Sequence, residues 1–189
     1  MQNTPNNKYT GVFTLVTINI VIFILMKLFS NELSFLFLNT SDVRWYQLLT
    51  SIFCHLEYSH LSGNLFFLYI FGRLIEEQEG TMGVVVSYLI CGIGANLFTL
   101  VLNFHSGYYI GASGAIFGLF TISMLIKFKP RFTNIIEIFI LTPFVLGYII
   151  TELKSLNNSD NISHESHIYG SIVGVLLIIG LRYLRGKYQ

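Results

Sequence analysis

The chain has 189 residues, of which 53% are hydrophobic and only 11% charged, and its mean hydropathy is +0.63. A soluble domain carries about a quarter charged residues, so this composition excludes a water-soluble globule and describes an integral membrane protein. The net charge of +1 is spread without a basic tract, which removes nucleic-acid binding, and the length fits one membrane domain, 1–189.

In chain order, residues 1–10 form a polar tail with the single cation Lys8. The first apolar run, 11–29, is followed by no small-residue cleavage pattern and reads as an uncleaved anchor. Hydropathy then predicts spans at 60–77, 81–103, 113–128, 133–152 and 166–184, each near the ~20 residues that cross ~30 Å of hydrocarbon except the short fourth. Residues 30–59 are too polar to span. Trp45, Tyr46 and Tyr58 suit a loop lying in the membrane interface. A short polar tail, 185–189, ends the chain, and NNSDN (157–161) reads as a small polar loop.

Cations set the expected orientation. Lys8, Arg73, Lys127, Lys129, Arg131, Arg182, Arg185 and Lys187 fall on one side, and only Lys27, Arg44 and Lys154 on the other. The positive-inside rule puts both termini in the cytoplasm and the loops 30–59, 104–112 and 153–165 outside. Cys54 and Cys91 sit in apolar surroundings and read as buried small side chains. The cluster Arg73, Glu76, Glu77 and Glu79 reads as a solvated inner helix end, and His55 as a residue bonded within the first loop.

Polar side chains inside a bilayer are costly unless paired, which makes them functional candidates. His60 and Asn64 lie four residues apart on one face of the second span, Ser113 opens the fourth span, and His167 opens the sixth. At 1.5 Å per residue, Ser113 lies about 21 Å above Lys127, His167 about 22 Å above Arg182, and Asn64 about 18 Å above Glu76. Three spans therefore aim polar groups at one depth below the outer face. The fourth span is short because the segment before it must dip into the membrane, which Gly111 permits. Gly114 with Gly118, and Gly170 with Gly174, form two small-residue faces that let helices pack closely.

Such proximity would let a neutral His167 take the proton of the Ser113 hydroxyl, which is a weak nucleophile without a base. No acid is placed as a third member, since Glu165 lies on another face. Phe117, one turn after Ser113, can hold the imidazole by stacking. His60, Asn64 and a backbone N–H at the start of the fourth span can donate to a developing oxyanion. HESH (164–167) is not a zinc-protease signature, and His55, Glu57 and His60 share no helical face, so no metal is expected.

The segments YQLLTSIFCH (46–55), HLEYSHLSGN (55–64), GASGAIFG (111–118) and HIYGSIVG (167–174) occur in an order and spacing that resemble the rhomboid intramembrane serine proteases. The resemblance implies an all-α six-helix bundle with an interfacial first loop and a short fourth helix. It implies Ser113 as nucleophile, His167 as general base, and His60, Asn64 and the Ser113 amide as oxyanion hole. It further implies cofactor-free hydrolysis of transmembrane protein substrates with water as co-substrate, and a gate in the fifth span that includes Pro143 and Gly147. Two positions depart from the pattern of many bacterial relatives: Phe117 stands where they have Tyr, and Tyr46-Gln47 where they have Trp-Arg.

Two other classes remain open to this sequence. A catalytically silent relative would bind membrane proteins for quality control, although such relatives typically lack the serine or histidine. A transporter would want discontinuous helices and an acidic coupling residue at mid-depth, and the apolar interior shows none. The compact core is expected in a bacterial plasma membrane.

Overall fold

The computed structural model describes residues 9–29, 32–102, 107–126 and 164–187. The expected fifth span (133–152), with Glu137, Glu152, Pro143 and Gly147, lies outside them, as do NNSDN and the cations Lys127, Lys129 and Arg131. Helix α1 (Thr10–Leu28) is followed by a first loop that carries the two-residue strand β1 (Leu38–Asn39) and the short helix α2 (Gln47–Thr50). Then come α3 (Tyr58–Leu102), strand β2 (Tyr108–Tyr109), α4 (Ser113–Ile126) and α5 (His164–Lys187). Helices α1, α3 and α5 are long and apolar enough to cross a membrane, and α4 is a shorter apolar helix.

The 45 residues of α3 are two spans joined at a break, as the hydropathy pattern predicts. Gly80 adopts φ 76° and ψ 179°, outside the helical region, where a side chain would be strained. The second arm folds back on the first. A Cβ at Gly72 would lie 3.4 Å from Val84 Cγ2, whereas twelve residues of straight helix would separate them by about 18 Å.

Helix α1 packs Val12, Leu15, Asn19 and Met26 inward and turns Phe13, Val21, Ile24 and Leu28 outward, where lipid is as good a solvent for them as protein. Its first N–H groups have no intrahelical acceptors. Glu76 supplies them: its carboxylate accepts from Gly11 N at 2.7 Å and Val12 N at 2.9 Å, and from Thr81 Oγ1 at 2.7 Å. The expectation that Glu76 belongs to a solvated helix end is therefore corrected. Only 7% of it is exposed, because the positive end of a helix dipole and two orphan donors draw the charge inward. Arg73 and Glu77 do stay at the surface, paired at 3.1 Å, with Arg73 over the Tyr9 ring.

The first loop is pinned from both sides. β1 pairs antiparallel with β2, Leu38 opposite Tyr109 and Asn39 opposite Tyr108, which ties the loop to the segment entering α4. Within it the buried Gln47 accepts from the N–H groups of Arg44 and Asn39 and donates to the Phe35 carbonyl. Against α3, Tyr88 donates to the Ile52 carbonyl at 2.9 Å, and the Asn96 amide donates to Leu48 O and Ser51 Oγ, each at 2.9 Å. Trp45 and Tyr58 face outward, 82% and 73% exposed, as an interfacial loop requires. Cys54 and Cys91 are free thiols, both buried, as expected.

Candidate active site

Three helix starts converge at one end of the bundle. α3 brings His60 and Asn64, one turn apart. α4 begins at Ser113, and α5 carries His167 in its first turn. The chain enters α4 through Gly111 at φ 117°, a conformation that side chains rarely tolerate. A Cβ there would also stand 2.7 Å from His60 Cε1, so the His60 imidazole lies directly against the backbone leading to Ser113.

α4 and α5 meet backbone to backbone. A Cβ on Gly170 would overlap the Gly114 carbonyl, and one on Gly174 would approach the Gly118 carbonyl to 2.7 Å. This close approach sets the first turns of the two helices side by side. Phe117 and His167 stack with ring centroids 4.4 Å apart and planes 9° apart. The imidazole is thereby held one turn along α4 from Ser113. The first turn of α5 is also clamped to the end of α3, by Thr99 Oγ1 and Ser166 Oγ at 3.1 Å and by the Phe98–Tyr169 ring pair.

Exposure separates the parts. Ser113 and His60 are half-buried, while Asn64 and His167 are buried. Ser113 keeps partial access, whereas the imidazole stacked on Phe117 is shielded. Ser113 is the first residue of its helix, where N–H groups lack intrahelical acceptors and the dipole is positive. A hydroxyl, an imidazole and donors for a negative oxygen are the parts that acyl transfer requires. Among the described residues no group of three His, Cys, Asp or Glu side chains could hold a metal ion.

One member of this region was not anticipated. His55 does touch the first loop, its Nδ1 lying 3.4 Å from the Phe53 carbonyl. Its other nitrogen, however, reaches out of the loop, to Asn64 Nδ2 at 2.8 Å and to the Ala112 N–H at 3.4 Å. The His55 and His60 rings stand edge to face at 5.1 Å. Burial, with a smaller contribution from His60, pushes the His55 imidazole down to a pKa of about 4, so it is neutral at ordinary pH.

Helices long and apolar enough to span a bilayer, with polar side chains gathered where three helices begin, describe a polytopic membrane protein with a candidate functional centre. The chain belongs to the rhomboid family: the family model described as Rhomboid domain matches residues 42–184. Its relatives include rhomboid-like protein 11, chloroplastic, of Arabidopsis thaliana, 37% identical over 92% of this chain and 66% of that one. The putative rhomboid protease YdcA of Bacillus subtilis is 28% identical over 74% of this chain and 69% of its own length. The rhomboid protease AarA of Providencia stuartii is 28% identical over 88% and 70%. The chain thus spans somewhat under two thirds of the length of the first of these, and about two thirds of the others.

Proposed function

We propose that this protein is an intramembrane serine endopeptidase that hydrolyses peptide bonds in or near the transmembrane segments of other membrane proteins. The observation that carries the reading is the His167 imidazole, stacked on Phe117 one turn from Ser113, at the Gly114–Gly170 contact of α4 and α5. Relatives named as rhomboid proteases support it.

In this reading neutral His167 accepts the Ser113 proton as Oγ attacks the scissile carbonyl. The oxygen of the tetrahedral intermediate takes hydrogen bonds from the Ser113 N–H, Asn64 and His60. His167 then protonates the leaving amine, and a water, activated by the same imidazole, hydrolyses the acyl-enzyme. The scissile carbonyl must leave its helix to be attacked, so substrates are helices with breakers or small residues near one end. The reaction uses groups of the protein and water, with no cofactor. The positive-inside distribution of Lys and Arg supports cytoplasmic termini, and the relatives in Bacillus subtilis and Providencia stuartii support a bacterial plasma membrane.

Incubating the detergent-purified protein with a fluorophosphonate probe tests this reading. The parent is expected to label, and Ser113→Ala and His167→Ala are not. Equal labelling of all three would put the reactive group elsewhere. A folded parent that does not label would favour a catalytically silent family member.

A further inference from the structure

We propose that His55 is a positioning residue for the oxyanion site, fixing which end of the Asn64 amide faces it. The inference rests on the catalytic reading above and adds to it a residue that touches no substrate.

The position of one proton fixes the arrangement. A carbonyl only accepts, so the contact of Nδ1 with Phe53 O requires hydrogen on Nδ1. A neutral imidazole then has a bare Nε2. The Ala112 N–H, which can only donate, points at that Nε2 and demands the same tautomer independently. With Nε2 an acceptor, Asn64 must present its NH2 group and not its oxygen, and it does so at 2.8 Å. One hydrogen of that nitrogen is used and the second is left for another acceptor. In the opposite tautomer Nε2–H would repel the Ala112 N–H and turn the Asn64 oxygen toward itself, reversing the amide.

Both partners matter to the site. Asn64 is a proposed donor. Ala112 precedes Ser113, and its carbonyl accepts from Ile116 N at 3.0 Å, opening α4. His55 itself is fully buried and so acts only through these groups. The depressed basicity of its ring keeps the Nε2 lone pair available at ordinary pH. A Gln at this position could accept from Asn64 through its oxygen while donating to Phe53 through its nitrogen, whereas Leu could do neither.

Two measurements decide the matter. Nitrogen-15 NMR of the histidine-labelled parent in detergent reads the tautomer directly: one buried imidazole with a proton on Nδ1 and none on Nε2 is expected at neutral pH, absent from the spectrum of His55→Gln. The reverse tautomer for that resonance overturns the proposal, whether or not any variant folds. Fluorophosphonate labelling kinetics then test the route. His55→Leu should lower the maximal labelling rate on the order of 10-fold with half-saturation unchanged, and His55→Gln should recover most of it. In an Asn64→Ala background His55→Leu should cost no more than about twofold further. Equal losses in the two backgrounds, or parental rates in His55→Leu, mean that His55 does not act through Asn64. Loss of labelling at Ser113 in the folded parent would instead overturn the protease reading, a separate result from additive losses in a parent that labels.

Discussion

On the flank of Ser113 made by the first loop and α3, contacts are directional. His55 bonds Asn64 and Ala112, Gly111 N–H donates to the Ser51 carbonyl at 3.0 Å, and Asn96 donates to Ser51 and Leu48. On the opposite flank, where α4 meets α5, Gly114, Gly118, Gly170 and Gly174 bring backbones into contact, and Phe117 lies flat on His167. Hydrogen bonds suit a flank whose donors, in the proposed reaction, must keep a fixed direction toward a developing charge. Close packing suits a flank whose imidazole, in the proposed reaction, must keep a height and a plane while it gains and loses a proton. In lipid, apolar helices gain little from burial against one another, so small-residue contact is also the available means of holding α5 in register.

The packed flank should break most severely. Gly170→Val places branched carbon against the Gly114 carbonyl, which is backbone and cannot rotate away. We expect α5 to be displaced and stability to fall by about 3 kcal/mol or more. Gly180→Val on the same helix is the control, since among the described residues nothing lies within 4 Å of its Cβ position. Thermal unfolding followed by circular dichroism should show a large drop for the first and little change for the second. Equal midpoints would mean that the α4–α5 contact does not hold the bundle.

The bonded flank should respond to acid. In the folded protein the His55 pKa is lowered from 6.5 to about 4, by burial first and by His60 second. Between those values the unfolded chain binds the extra proton and the native one does not, so stability present above pH 6.5 is lost as pH falls toward 4. The full effect is about 3 kcal/mol, at 1.4 kcal/mol for each pKa unit. The thermal midpoint should therefore fall between pH 6.5 and 4, and fall less in His55→Gln. An identical pH slope in both proteins would remove His55 as the source.

Much of the packed flank was legible in the sequence, and less of the bonded one. Four glycines at i and i+4 within apolar runs announce close helix contact, and the start of α4 at Ser113 follows from the short fourth hydropathy segment. The positions of α1, of both arms of α3 and of α5 agree with the apolar runs to within a few residues. His55 and Glu76 escaped because each sits among polar neighbours, HLEYSH and RLIEEQEG, where a buried polar group has no contrast. Their partners are also remote, 57 residues away for Ala112 and 65 for Gly11. TGVFTL opens with Thr, a favoured cap residue, so nothing in the sequence signals that the structure caps α1 at Tyr9 without a side-chain bond and leaves its first N–H groups to a distant acid.

A subtler division of the packed flank concerns the stack. Phe117→Leu keeps apolar volume but removes the flat face on His167. Labelling should slow several-fold, with a stability loss of about 1 kcal/mol, the worth of an aromatic pair. Phe117→Tyr, which keeps the ring, should label at close to the parental rate. If Leu labels as fast as Phe, the imidazole plane is set by other contacts.

The smallest effect belongs to the clamp between α3 and α5. Thr99 Oγ1 already lies 3.0 Å from the Ala95 carbonyl, to which it donates, so it can receive the Ser166 hydroxyl at 3.1 Å. Both hydroxyls are buried, Thr99 completely, one residue before His167 in the case of Ser166. Thr99→Val preserves shape and removes the bond. A loss of about 1 kcal/mol is expected, the usual net value of one hydrogen bond. Ser166→Ala should cost no more than that, and the double variant scarcely more than Thr99→Val alone, because Thr99→Val already deletes the contact that Ser166→Ala removes, together with the bond to Ala95. Thermal midpoints of the four proteins measure that coupling. If the losses simply add, the two hydroxyls serve different partners, and the height of His167 rests on the glycine contacts and the Phe98–Tyr169 pair alone.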